Sequence, residues 1–242
     1  MGNLFNLIIK VIDFFYQKKI ITFFKNNSNS KYDVLIDVGA HKGETISNFL
    51  KNFTIKNIYS FEASSKTYKN LEINVEKIRS KYYKTNIEIF NKGIGNSREQ
   101  KIFNELPDSN SSTFNSIDQN SSYFKRKNRI LSLFFKKEFN IKRNFVSQIK
   151  LSDFIEKKKI KSVSILKIDT EGYELEVIKG LDKAIHIVKF IYFEHHYDNM
   201  IKKNYKFSDI HDFLLTNGFK RVFKVKMPLR KSFDYIYEKK TV

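Results

Sequence analysis

Four short apolar runs in this chain each deliver a carboxylate at or next to their C-terminal end. Val34 to Val38 carries Asp37 and leads into Gly39-Ala40-His41-Lys42-Gly43, while Ile58 to Phe61 ends on Glu62. Val163 to Ile168 ends on Asp169, with Glu171 two residues later, and Ile187 to Phe193 ends on Glu194, His195 and His196. Such groups can take a proton from a substrate hydroxyl, grip the hydroxyls of a ribose, or hold a divalent cation. Any one alone reads as a surface carboxylate. All four at the same topological position make the default ligand site of an open α/β sheet.

The spacing narrows the ligand. A dinucleotide site wants G-x-G-x-x-G, so that a diphosphate can sit on a helix N-terminus. Here the turn reads D-x-G-x-x-x-G, and a carboxylate at the strand end repels a diphosphate while suiting an ammonium and a sulfonium. Gly39 and Gly43 are expected to let the backbone turn tightly and approach the ligand where a Cβ would obstruct. Glu62 stands nineteen residues after Gly43, the distance at which a second strand brings a carboxylate to ribose hydroxyls. The pattern suits a phosphate-free nucleoside, and S-adenosylmethionine is the candidate.

The elements that must position these residues alternate. A strand up to Val38 precedes a helix with Ile46, Phe49, Leu50 and Phe53 at helical spacing, and a second strand precedes a helix capped by Ser64 or Ser65 with Tyr68, Leu71, Val75 and Ile78 on one face. Asn86 to Asn91 reads as a third strand and Lys92 to Gly95 as a turn. After a gap the rhythm resumes with a short helix at Leu151 to Ile155, a buried strand to Ile168, a helix ending near Gly180, and a strand to Phe193. A helix stopping at Asn217-Gly218 and strands near 220–226 and 233–238 close the chain. The expectation is a parallel, doubly wound sheet.

The gap, about 104–147, holds Pro107, a polar run and a basic-aromatic block. In that block Lys125, Arg126, Lys127, Arg129, Lys136, Lys137, Lys142 and Arg143 interleave with Tyr123, Phe124, Phe134, Phe135 and Phe139. Long irregular segments of this kind serve as lids or stay disordered; the expectation is a substrate lid, with a membrane patch, RNA contact or a solvated face as the alternatives. Residues 4–24 are apolar but broken by Lys10, Asp13, Lys18 and Lys19, which fits a helix packed on the domain or lying on a membrane surface rather than a signal peptide.

At 242 residues the chain suffices for one α/β domain. Its net charge of +19 predicts attraction to polyanions or an anionic membrane face, although its Lys-, Asn- and Ile-rich composition also looks like codon bias. No cysteine is present, which excludes disulfides, zinc-thiolate sites and thiol nucleophiles.

The chain resembles the FkbM family of S-adenosylmethionine-dependent methyltransferases. The matching stretches are DVGAHKGET from residue 37, YSFEASSKTYKNLEINV from 59, NKGIGN from 91 and, most specifically, LKIDTEGYELEVIKGL over 166–181. His41 stands where the family usually has Asn, and Ala63-Ser64-Ser65 replaces a proline-containing turn. The resemblance implies a Rossmann-like class I methyltransferase fold, with a mostly parallel seven-stranded sheet and a reversed last strand. It also implies methyl transfer to a hydroxyl oxygen. Asp37, Gly39, Ala40, His41 and Gly43 are then expected at the methionine end, Glu62 and Ala63 at the ribose, and Gly93 and Ile94 by the adenine. Asp169 and Glu171 are expected beside the reacting methyl, and either could serve as the base, with His195 or His196 as the alternative.

These readings combine into one expectation. Residues 1–30 form an N-terminal helix and linker, and 31–242 a methyltransferase domain. The chain is cytoplasmic or peripheral on the inner membrane face. It methylates a hydroxyl on a sugar of a cell-surface glycan or a related small metabolite, with a divalent metal held by Asp169, Glu171, Glu194 and His195 as the less favoured alternative. The rivals are an RNA methyltransferase and a degenerate, membrane-associated glycan-assembly scaffold.

Overall fold

The middle of the protein is built by strands that are apolar on both faces. In this computed structural model, which describes residues 15–27, 30–107, 111–135, 140–228 and 230–240 with the side chains of 130–135 excepted, β1 (Lys31–Val38) and β8 (Val163–Ile168) lie side by side and parallel. Leu35, Ile36, Ile165, Leu166 and Ile168 are fully buried, as they must be in strands covered by helices on both faces.

β2 (Thr54–Phe61) and β3 (Asn86–Phe90) extend the sheet on one side in parallel. On the other, β9 (Val188–His196) is parallel to β8, and β12 (Ser232–Lys239) runs antiparallel between β9 and β11 (Phe219–Lys226). The order β11-β12-β9-β8-β1-β2-β3 is a seven-stranded, mostly parallel sheet whose last strand is reversed, as expected.

One face of the sheet carries α1 (15–26), α2 (Glu44–Asn52) and α3 (Ser65–Lys81); the other carries α5 (Leu151–Lys157), α6 (Glu174–Lys179) and α7 (Phe207–Thr216). α1 belongs to the core. Its Ile20 and Phe24 are wholly inaccessible, and the Phe24 ring meets Phe49 at 5.5 Å and Phe190 at 5.7 Å. The remainder of the apolar N-terminal run, residues 4–14, lies outside the described residues, as do residues 28 and 29 of the expected linker.

The segment expected to be irregular is instead structured. β5 (Glu99–Glu105) and β7 (Lys142–Ile149) pair antiparallel, and β7 pairs parallel with β4 (Gly93–Ile94), so the expected turn at 92–95 contains a short strand. Between them run β6 (Ser116–Ile117), which pairs with β10 (Ile201–Lys202), and α4 (Ser122–Phe135). Much of the basic-aromatic block is therefore helix and strand, and Phe124 is buried against Met200 and Ile201. Residues 136–139 of the block lie outside the described residues.

Candidate active site

At the C-terminal ends of β1, β2, β8 and β9 lies a cavity of about 880 Å³, near the upper end of the range for small-molecule sites. Gly39, Ala40, His41, Gly43, Glu62, Ala63, Gly93, Ile94, Asp169 and Glu171 all line it, joined by Lys167, Glu194, Tyr16 and Arg230. The turn after β1 is stitched to its neighbours by backbone bonds. The N–H groups of Gly39 and Ala40 donate to the Phe61 carbonyl at 2.9 Å, and the Asp169 N–H donates to the Val38 carbonyl at 2.9 Å.

The glycines serve this packing as well as the tight turn. Gly39 has φ +83°, and a Cβ there would stand 1.9 Å from the Asp169 carbonyl oxygen. It admits the end of β8. Gly43, at φ +91°, faces the Leu71 side chain of α3. His41 also adopts a left-handed φ of 49°, a conformation that Asn, Asp and His tolerate better than other side chains.

Glu62 is anchored at both of its oxygens. Ser64 N–H donates to its Oε1 at 2.8 Å and His41 N–H to its Oε2 at 2.9 Å. Each oxygen thereby keeps lone-pair capacity beside the cavity. Burial pushes the Glu62 carboxyl up to about 7, against the pull of those two N–H groups. At the start of α2, Glu44 Oε2 accepts from Lys42 N–H at 3.0 Å. Its carboxylate occupies the helix end where a phosphate would otherwise bind, so the geometry fits a phosphate-free nucleoside.

Asp37 departs from its expected place. It is fully buried and does not line the cavity; its side chain lies on the α1–α3 face of β1, beneath the turn. Its nearest cation is Lys167 Nζ at 3.8 Å, and the same ammonium donates to Asp169 Oδ2 at 3.0 Å. Burial pushes the Asp37 carboxyl up to about 6, although Lys167 pulls the other way. For Asp169, burial is outweighed by the Lys167 ammonium, which holds it below the usual carboxylate range. Lys167 itself stays charged, since the two carboxylates overcome its desolvation.

The loop after β8 is strained and braced. Glu171 has φ 51°, a conformation that in a non-glycine residue persists only where the surroundings over-determine it, and Gly172 follows at φ +91°, which glycine adopts freely. The brace is Glu174, wholly inaccessible. It accepts from Thr170 Oγ1 at 3.2 Å, from Gly172 N–H at 2.8 Å, and from the Tyr205 hydroxyl. Sequence reasoning passed over Glu174, whose acidic position in a helical first turn looks like ordinary dipole compensation.

His195 is not brought to the site, a correction with a simple cause. β9 runs through His196, so side chains alternate across it. Glu194 and His196 face the α1–α3 side, while His195 packs among Tyr197, Tyr205 and Phe207. Burial there pushes its imidazole down to about 3, which suits a neutral, structural ring.

His196, the other histidine read as an alternative base, does reach the carboxylates of the site. Its Nε2 lies 3.2 Å from both Glu171 Oε2 and Glu194 Oε1, and its Nδ1 lies 3.5 Å from Asp198 Oδ2. Burial opposes its charge, yet Glu171 and Glu194 hold the imidazole up to about 10. Burial pushes Glu171 up to about 8, with His196 pulling it down, and it raises Glu194 as well. Among the described residues no group of three or more His, Cys, Asp or Glu is arranged to hold a metal ion. Nor is any helix there long and apolar enough to cross a membrane.

A family model described as a methyltransferase FkbM domain matches residues 37–221. Among solved structures, the protein is similar to a methyltransferase FkbM from Methylobacillus flagellatus KT, with TM-score 0.55 and 13% identity over 85% of this chain and 44% of that one. It is also similar to the magnesium protoporphyrin IX methyltransferase of Synechocystis PCC 6803 with bound SAM, with TM-score 0.55 and 9% identity over 96% of this chain and 82% of that one. At such identities the similarity is one of fold, and the chain spans less than half the length of the first relative. No curated protein sequence matches the chain.

Proposed function

This protein belongs to the FkbM family of methyltransferases, and from that premise we propose that it moves a methyl group from S-adenosylmethionine to a hydroxyl of a sugar in a cell-surface glycan or a related small metabolite. The observation that carries the reading is Glu62 at the cavity wall, each of its oxygens held by one backbone N–H. A carboxylate so placed can accept from two ribose hydroxyls. Gly93 and Ile94 supply the wall for an adenine, and Gly39 to His41 the wall for an amino-acid tail.

The sulfonium supplies an already activated methyl. The protein must therefore align an acceptor oxygen at about 3 Å and remove its proton. Lys167 cannot act as the base, since Asp169 and Asp37 keep it protonated. Asp169 is tied to that ammonium and serves to orient. Glu171, at the cavity wall and raised to about 8, is matched to receive a hydroxyl proton near neutral pH.

The test is transfer of labelled methyl to lipid-linked sugars, nucleotide-linked sugars and total RNA, with and without chelator. Label in a sugar fraction, insensitive to chelator, is expected. Label confined to RNA would overturn the acceptor class, and failure to bind S-adenosylhomocysteine would overturn the whole reading.

A further inference from the structure

His196 is separated from the cavity yet touches what lines it. Its side chain is buried between Glu171 and Glu194, both cavity residues, and it is not itself part of the wall. His196 Nε2 and Glu194 Oε1 are among the buried polar atoms that make no hydrogen bond of good geometry within the described residues. Burying such atoms is costly, and structures keep them where a function needs them. The backbone here is tied down independently: Lys203 donates to the His196 carbonyl, and Met200 N–H donates to Asp198 Oδ1 at 3.0 Å. The imidazole is thus fixed from behind by Asp198 and presented to two carboxylates in front.

We infer that His196 is a positioning residue whose imidazolium favours the ionised form of Glu171 and aims it, so that Glu171 takes the proton of the acceptor hydroxyl. The inference rests on the function proposed above. As the acceptor oxygen forms its bond to the methyl carbon, its O–H bond breaks and the proton passes to a Glu171 oxygen. The S–C bonding pair stays on sulfur, and Glu171 later returns the proton to solvent, with His196 charged throughout. Without a cation behind it, a carboxylate crowded by Asp169 and Glu194 holds its proton to still higher pH, and a smaller fraction of it is available as base.

The other groups facing this centre do not replace His196. Glu171 sees Asp169 from its own loop and Glu194 from β9, both adding negative charge, and more distantly Lys127 from α4. Lys203, which follows β10, and Arg230, which precedes β12, are the remaining nearby cations. Lys127 donates to Ser111, and His196 stands at ion-pair distance from Glu171.

The experiment measures the pH profile of methyl transfer to whichever sugar fraction wild type labels, alongside S-adenosylhomocysteine affinity by calorimetry, for His196→Gln and Glu194→Gln. In His196→Gln the limb governed by Glu171 moves to higher pH, each unit costing about tenfold in rate below the limb. For a shift of one unit, a loss of about tenfold is expected at pH 7, narrowing to about twofold at pH 9, with cofactor affinity within twofold of wild type. Glu194→Gln should shift the limb the opposite way, since it removes a competing carboxylate. A rate loss equal at every pH, an unchanged rate, or a matched fall in cofactor affinity would each overturn the inference.

Should His196→Gln fail to fold, ring ¹⁵N spectra of wild type and Glu194→Gln decide. The chain has five histidines, and one ring is expected to stay protonated at pH 9; if all five have lost their protons there, the inference fails. Wild type that neither binds S-adenosylhomocysteine nor labels a sugar would instead sink the underlying function.

Discussion

Replacing Glu62 by Gln removes one charge from the cavity while leaving size and packing nearly unchanged. Hydrogen bonds to charged groups contribute about 1.5–3 kcal/mol and neutral ones about 0.5–1.5 kcal/mol. Accepting from hydroxyls with an amide rather than a carboxylate should thus cost roughly 1–2 kcal/mol, or about 5- to 30-fold in affinity for S-adenosylhomocysteine. Glu62→Ala removes both acceptors and should cost more than about 100-fold. Both variants also disturb the N–H groups of Ser64 and His41, which now donate to the carboxylate. A Gln oxygen satisfies one and turns its amide toward the other, so each variant should melt earlier as well.

The pH dependence supplies the sharper test. Glu62 titrates near 7 in the free protein, and the ligand favours the ionised form. Wild-type affinity should therefore rise from pH 6 to pH 8, and the Gln variant should lose that slope. Isothermal calorimetry at three pH values reads all of this. Equal affinity in wild type and Gln variant, or an identical slope in both, would refute the assignment of Glu62 to the ligand.

Three further outcomes follow from the packing. Phe24→Ala empties a fully buried site ringed by Phe49, Phe190 and Tyr192, and should cost about 3–5 kcal/mol in denaturant unfolding. Gly39→Ala drives a Cβ into the Asp169 carbonyl at a left-handed φ, and should abolish soluble expression or lower Tm more than Phe24→Ala does. Asp234, raised to about 8 by burial with Glu194 adding to the effect, carries a proton in the folded state that the unfolded state sheds near 4, so it lowers stability as pH rises through that window. Asp234→Asn should then gain on wild type by at most about 1.4 kcal/mol per pH unit, on the order of 3–5 °C in Tm; a gap that stays constant between pH 5 and 8 would contradict this.

The alternation of strand and helix was plain because the inner strands are apolar on both faces: β1 and β8 could hardly be anything else. The capping of α3 by Ser64, whose hydroxyl accepts from Thr67 N–H, was equally legible. The insertion hid its structure because α4 pairs Phe124 and its buried contacts with a run of cations that drowns the period. His195 and His196 could not be told apart for a different reason. Two polar residues ending an apolar run look like a loop, and only strand pairing with Phe233 and Ser232 sets which of them meets the cavity residues Glu171 and Glu194. Asp37 and Lys167 could be found by type, but not their burial, since nothing along the chain reports that one lies beneath the other.

α1 has a consequence for how the protein could meet a membrane. The side of this helix that would sink among lipid tails already fills the interior, with Ile20 and Phe24 wholly inaccessible and Tyr16 forming part of the cavity wall. Pulling it onto a bilayer would open the core and breach the pocket at once. Any lipid contact made by this stretch must therefore use its outward side, where Phe15, Lys18, Lys19 and Lys25 are exposed, and leave the helix seated.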